Sequence, residues 1–179
     1  MKLLGAILAG GASRRFGSDK ADALLDGRKL VDHVAEALRR DCDALVICGR
    51  IHPDIPRLED RPAAGLGPLG GLCAALEHGR EAGFEAVLSA PCDVPNLPAD
   101  LFLRLAQGGL SAYVAEHPVI GLWPCALVAD LHSRLEQEAD RSMRAWVRAA
   151  KAAPVSFGSS ICNINTRDDL AALQSGARP

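Results

Sequence analysis

The sequence predicts an α/β fold, a single doubly wound domain in which a mostly parallel sheet is flanked by helices. Three observations predict it. Continuous apolar runs at residues 3–9, 44–48 and 86–90 have the length and composition of buried strands. Segments with apolar residues at helical spacing stand between and after those runs. The chain has 179 residues, 49 % apolar and 23 % charged, which suits one domain with its own core. Strands alternating with helices favour a parallel sheet covered on its faces.

The first strand, residues 3–9, is stopped by Gly10 and Gly11, and a loop rich in Gly, Ser and Arg follows. Residues 30–40 place Leu30, Val31, Val34, Ala35 and Leu38 on one helical face. The second strand is 44–48, and Pro53, Pro56 and Pro62 make residues 52–66 irregular. Residues 69–82 form the next helix, with Leu69, Leu72, Cys73 and Leu76 on one side. The third strand, 86–90, runs into Pro91-Cys92-Asp93-Val94-Pro95. A helix over 99–107 carries Asp100 in its first turn, and Gln107 to Gly109 read as a local hinge. Residues 112–115 and 119–123 read as strands. Residues 128–138 and 141–150 read as helices, the latter with Met143, Trp146 and Val147 inward. Residues 155–157 and 161–164 are extended, and a short helix follows over 168–174. The sequence contains no internal repeat and no linker that divides it.

Composition excludes several functions. Twenty basic and 22 acidic side chains give a net charge of −2, so no basic excess marks a nucleic-acid binder. Aromatic residues are 4 %, too few for a platform that stacks single-stranded bases. No apolar run approaches the ~20 residues that span a bilayer, so no membrane role is expected. The run at 3–9 leads into glycine and a charged loop rather than a cleavage site, which argues against a signal peptide. The six cysteines form no C-x-x-C pair and no zinc spacing. They read as small, mostly buried apolar residues with reduced thiols, which places the chain in the cytoplasm. His33, His52, His78 and His132 have no partner in sequence, and no Ser-His-Asp pattern or nucleophile elbow is present.

Two segments carry chemistry. Gly10 and Gly11 stand at the carboxyl end of a buried first strand, where open α/β sheets bind ligands. Their backbone N–H groups suit phosphate oxygens, and Arg15 and Lys20 add positive charge to the same loop. The alternative is a turn with solvated basic residues. The loop is neither G-x-x-x-x-G-K-[ST] nor G-x-G-x-x-G. Asp93, at the end of the third strand, reads either as a turn cap or as a magnesium ligand. Magnesium takes hard oxygen ligands, often one or two carboxylates with substrate phosphates.

Other positions leave structural and functional readings open. Gly67-Pro68 suits a helix start. Gly70 and Gly71 weaken that helix by about 1 kcal/mol each relative to Ala. Close approach by a ligand and tight helix–sheet packing both explain them. Thr166 is a good N-cap, and Asp169 three residues on partly mimics a capping box. Arg141, Arg144 and Arg148 lie near helical spacing and read as a solvated face, ahead of a site for an anionic phosphate.

Residues Leu8 to Lys20, L-A-G-G-x-S-x-R-F-G-x-D-K in outline, resemble the signature loop of the nucleotidyltransferases related to molybdenum cofactor guanylyltransferase. Further segments match that family in order: Glu59-Asp60, G-P-L-x-G-L from Gly67, C-D-x-P at Cys92, His117-Pro118, and N-x-N-T from Asn163. The resemblance implies a Rossmann-like domain of nucleotidyltransferase type over residues 1–179. Its nucleotide-binding half would be about 1–106 and its acceptor-binding half about 107–179. It implies that Leu8, Ala9, Gly10 and Gly11 wrap the nucleotide and that Arg15 and Lys20 act on its phosphates. It implies that Asp60, Gly67 and Gly71 approach base and ribose, and that Asp93 holds Mg²⁺. His117, Asn163 and Asn165 fall where the family binds its acceptor, and a structural role for His117 carries equal weight.

Two positions depart from the family pattern. Cys48 stands beside Gly49 where some relatives have Asn, a better hydrogen-bonding group for a base. Lys29 stands where relatives often have Pro, a change expected to affect only the start of the first helix. The activity implied is transfer of GMP from GTP to molybdenum-bearing molybdopterin, with pyrophosphate released. Molybdoenzymes or cofactor-insertion proteins are the partners the resemblance suggests. The alternatives are CMP transfer to the same or another phosphorylated acceptor, and a non-catalytic nucleotide sensor or molybdoenzyme chaperone. Turnover separates these, since a sensor releases no pyrophosphate.

Overall fold

The computed structural model describes residues 1–10, 23–137, 140–158, 161–164 and 166–174. Strand β1 (Leu3–Leu8) is buried along its whole length. Its side chains alternate between two cores, Leu3 and Ile7 to one face and Leu4, Ala6 and Leu8 to the other. It pairs in parallel with β4 (Ala44–Cys48) on one side and with β6 (Ala86–Pro91) on the other. The full sheet has seven strands. Beyond β4 lies β5 (Arg57–Leu58), and beyond β6 lie β8 (His117–Pro124), β7 (Ala112–Val114) and β9 (Ala153–Val155), in that order.

Helices cover both faces. α1 (Leu30–Arg39) buries all five residues of its predicted face, Leu30, Val31, Val34, Ala35 and Leu38. With α3 (Leu101–Gln107) it closes one core, and the extended segment contributes Ile161 there. α2 (Pro68–Glu81), α4 (Val128–Glu136) and α5 (Met143–Ala149) close the other. The end of the predicted helix over 128–138 lies outside the described residues at position 138. Ser142 starts α5 by accepting the Ala145 N–H at 3.1 Å, which satisfies one of the helix's open donors. α6 (Arg167–Gln174) follows the extended segment 161–164.

The sheet is mostly parallel, as the alternation of elements predicts, with one reversed strand. β8 runs antiparallel to both β6 and β7. It also starts two residues earlier than the apolar run at 119–123 indicates, because His117 and Pro118 interrupt the hydrophobic pattern. β9 lies two residues before the predicted extended stretch, with Pro154 on the sheet's edge, where a missing N–H is tolerated. A small hairpin, β2 (Leu24–Leu25) and β3 (Arg28–Lys29), turns through Asp26 at φ 51° and Gly27 at φ 77°. Asp-Gly in a two-residue loop is the chemistry such a turn needs. Lys29 sits at φ −64°, ψ 146°, a conformation proline also adopts, so the departure there leaves the start of α1 intact.

β6 carries one polar side chain into the core. Ser89 is fully buried, donates to the Val119 carbonyl at 2.7 Å and accepts the Trp123 indole N–H at 2.9 Å. Gly121, opposite Ser89, leaves the space that the Trp123 ring fills. Ser89→Ala strands a buried indole donor and is expected to lower stability by about 1–3 kcal/mol. Urea unfolding followed by tryptophan fluorescence measures it. A shifted midpoint with an unchanged slope is the expected result.

Candidate functional site

The site is set by where three parallel strands stop. Leu8 is in register with Cys48 of β4 and with Pro91 of β6, so the three strands end on one line. The backbone stays paired one step beyond. The Ala9 N–H donates to the Cys48 carbonyl at 2.9 Å, and the Cys92 N–H donates to the Leu8 carbonyl at 3.3 Å. The chain leaves β1 towards β4 and returns through α2 to β6 on the other side. That reversal makes the carboxyl ends of β1 and β6 the crevice where open sheets take ligands. Gly49 has φ +83°, and a Cβ there would lie 2.6 Å from Gly10 Cα. The two backbones therefore pass in direct contact, and Gly10 itself is exposed with open space beside it.

The acidic turn after β6 is anchored by Val94 and Leu97, both in the core, which leaves Asp93 half-buried at the crevice. The segment 161–164 crosses this turn. The Ile164 N–H donates to the Asp93 carbonyl at 2.9 Å, and the Cys162 N–H donates to Asn96 Oδ1 at 3.4 Å. His117, at the start of β8, donates through Nε2 to the Ile161 carbonyl at 3.1 Å. A carbonyl only accepts, so the imidazole proton is on Nε2. Ile164 is buried with Leu25 and Leu30, and Leu170 and Leu173 pack against them. Between these anchors Asn163 holds a buried Oδ1 with no partner among the described residues. Thr166 and Asp169 form a reciprocal cap: the Thr166 N–H donates to Asp169 Oδ2 at 2.8 Å, and the Asp169 N–H donates to Thr166 Oγ1 at 3.1 Å.

The start of α2 packs under the ends of β1 and β4. Gly71 is buried, and a Cβ there would lie 2.8 Å from Cys48 Cβ and 3.3 Å from Leu8 Cδ2. Packing against Cys48 and Leu8 is thus one reason for a glycine at position 71. Gly70 makes room in the same way for Asp60, whose Cγ would lie 3.0 Å from an added Cβ. Burial pushes the Asp60 carboxyl above its ordinary value, backbone hydrogen bonds from Gly65 and Leu66 oppose that, and Glu59 adds to it. Those bonds make Asp60 the brace of the loop leading into α2. Gly67 is exposed at φ +66°, with Pro68 beginning the helix.

Cys48 is turned into the core. It is 1 % exposed, and its thiol donates to the Gly71 carbonyl at 3.2 Å. Burial, with the Asp60 charge second, pushes the thiol up to about 12. All six cysteines are free thiols. Cys48, Cys73 and Cys125 are buried, while Cys42, Cys92 and Cys162 are partly buried.

Of the residues predicted for the site, Leu8, Ala9, Gly10, Asp93, His117 and Asn163 lie on or across the carboxyl edge, with Gly71 packed beneath it. Asp60 and Gly67 flank the loop before α2. Gly11, Arg15, Lys20 and Asn165 lie outside the described residues. Arg141, Arg144 and Arg148 are exposed, as a solvated face should be. Asn96 and Gly49 were not read as site residues, and neither signal is strong in sequence. Among the described residues, no helix is long and apolar enough to cross a membrane.

Glu116, beside His117, grips the turn that leads to the extended segment. Its carboxylate accepts the Ser156 hydroxyl at 2.5 Å and the Phe157 and Gly158 N–H groups at 3.2 Å each. The Ser156 hydroxyl is the largest cause that holds the Glu116 carboxyl down at about 2, against an ordinary 4.5. A depressed carboxylate stabilises fully above its ordinary value. That contribution is lost as pH falls from about 4.5 through about 2. Carboxyl-carbon NMR titration is expected to find Glu116 midway near 2, and Ser156→Ala to move the midpoint up towards 4.5.

Residues 5–155 match the family described as the MobA-like NTP transferase domain. A protein of Cereibacter sphaeroides named molybdenum cofactor guanylyltransferase is 39 % identical over 98 % of this chain and 97 % of its own length. One from Rhizobium leguminosarum bv. trifolii with the same name is 33 % identical over 95 % of this chain and 90 % of its own. The crystal structure of molybdopterin-guanine dinucleotide biosynthesis protein A from Archaeoglobus fulgidus superposes with a TM-score of 0.73 at 22 % identity. It covers 96 % of this chain and 97 % of that one, a likeness of fold.

Proposed function

The chain belongs to the MobA-like NTP transferase family, and from that premise we propose that it transfers GMP from GTP to molybdenum-bearing molybdopterin. The products are the guanine dinucleotide cofactor and pyrophosphate. The observation that carries the reading is the meeting, at one sheet edge, of the glycine turn after β1, Asp93 after β6 and the segment bearing Asn163. The full-length likeness to two guanylyltransferases supports the choice of reaction.

In this reading the first half of the chain holds GTP and the second holds the acceptor. Leu8 to Gly11 wrap the nucleotide, with Gly67 on its far side. The acceptor's terminal phosphate attacks the α-phosphorus in line. A new P–O bond forms, the bond from the α-phosphorus to the bridging oxygen breaks, and pyrophosphate carries away the electron pair. The attacking phosphate is already anionic, so no strong general base is needed. What the protein must supply is the approach of two anions and a counter-charge for the transition state. Arg15 and Lys20 bring that charge from the loop after β1.

Asp93 would hold Mg²⁺. A half-buried carboxylate at the strand end suits that ion, which takes its other ligands from phosphates and water. When bound, the ion neutralises charge on the triphosphate and its leaving group. Asp60 is engaged in bracing its own loop and is assigned no metal. The six free thiols fit a reducing compartment such as the cytoplasm.

Pyrophosphate release from GTP, with molybdenum-bearing molybdopterin and Mg²⁺, tests the reading. Lys20→Ala and Asp93→Asn are each expected to lower kcat/KM about a hundredfold. Chelation should stop turnover and added Mg²⁺ restore it. Undiminished rates in both variants contradict the assignment.

A further inference from the structure

We propose that His117 is a positioning residue for the acceptor, working through the 161–164 segment rather than by touching a phosphate. The proposal rests on the guanylyl-transfer reading above. Its starting point is that the imidazole Nε2–H is already committed to the Ile161 carbonyl, 44 residues along the chain. β8 begins at the same edge as the site, because it runs antiparallel to β6. The β7–β8 register also shifts between Tyr113 and Val114, so the ladder is irregular where it reaches His117. Such an irregularity re-aims a side chain, here across the edge towards the crossing segment.

The tie fixes one end of a short span. Its other anchors are the Asn96 side chain on the Cys162 N–H and the Asp93 carbonyl on the Ile164 N–H. Asn163 lies between them, with its Oδ1 buried and unpartnered among the described residues. A buried amide oxygen without a donor is costly, and an N–H or O–H group on a bound acceptor would satisfy it. That oxygen is held in place only while both flanks are held. Asp93 and Asn96 tie the segment to β6, and His117 ties it to β8. The same span thus links the proposed metal carboxylate to the proposed acceptor contact. Glu116 grips residues 156–158, which precede the segment, so the link from β8 is continued on the far side.

The test pairs hydrogen exchange with kinetics in four full-length proteins: wild type, His117→Ala, His117→Gln and His117→Asn. Glutamine carries an amide N–H at about the reach of Nε2, whereas asparagine stops short at the level of Nδ1. In His117→Ala and His117→Asn the Cys162 and Ile164 amides are expected to exchange about tenfold faster. β1 and β6 amides should keep their protection, which separates local release from unfolding. KM for molybdenum-bearing molybdopterin should rise about tenfold while KM for GTP stays unchanged, and His117→Gln should restore both readouts. If His117 instead grips the acceptor phosphate by charge, the segment's amides stay protected in every variant and His117→Gln leaves the acceptor KM high. That result overturns the proposal, as does an equal rise in KM for GTP. A wild-type protein without turnover contradicts the guanylyl reading alone, and the exchange data still decide whether His117 holds the segment.

Discussion

The pairing of β1 with neighbours on both sides is the constraint from which the site follows. Leu8 is in register with Cys48 and Pro91, so three strand ends are fixed on one line before any loop is considered. What leaves that line is then decided by local chemistry. Two glycine backbones pass in contact at Gly10 and Gly49, and a side chain at the latter would close the passage. A proline-bounded turn anchored by Val94 and Leu97 presents Asp93. Helix α2, after β5, is seated by Gly71 against Cys48 and Leu8, so its first turn cannot drift from the strand ends.

The other half of the site comes from far along the chain. Nothing in residues 161–164 joins the sheet ladder, yet the segment is held at three points by Asp93, Asn96 and His117. Burial of Ile164 against Leu25 and Leu30 adds an apolar anchor, which also secures the hairpin that follows the glycine loop. Closing so long a stretch of chain has an entropic cost that grows only slowly with length. Three hydrogen bonds and two buried isoleucines, Ile161 and Ile164, offset it. The result is that the nucleotide side and the acceptor side of the proposed reaction share a single turn, with Asp93 in it.

Much of this was legible in the sequence because it is local. The five apolar positions of α1 are all buried, and the runs at 44–48 and 86–90 coincide with β4 and with all but the last residue of β6. Asp93 after a buried strand read equally well as a turn cap, and it was the resemblance of Cys92-Asp93-Val94-Pro95 to the family's C-D-x-P segment that singled it out. What sequence could not show are contacts between residues distant in the chain. The direction of β8 depends on β6, and the bond from His117 to Ile161 spans 44 residues. Gly71 was ambiguous for a related reason. A glycine early in a helix looks the same whether a ligand or a strand lies against it, and the packing on Cys48, 2.8 Å from an added Cβ, becomes visible only in the fold. The Asp26-Gly27 hairpin was written in the sequence, but two-residue strands give no periodicity to read.

Cys48 bears on which base the protein selects. Its thiol hydrogen is engaged by the Gly71 carbonyl, where some relatives have an amide. The most direct measurement offers equal GTP and CTP with molybdenum-bearing molybdopterin and Mg²⁺, and identifies the dinucleotide by mass spectrometry. Guanylyl transfer predicts the guanine dinucleotide as the main product. A cytosine dinucleotide, or no dinucleotide from folded protein and intact acceptor, would contradict it.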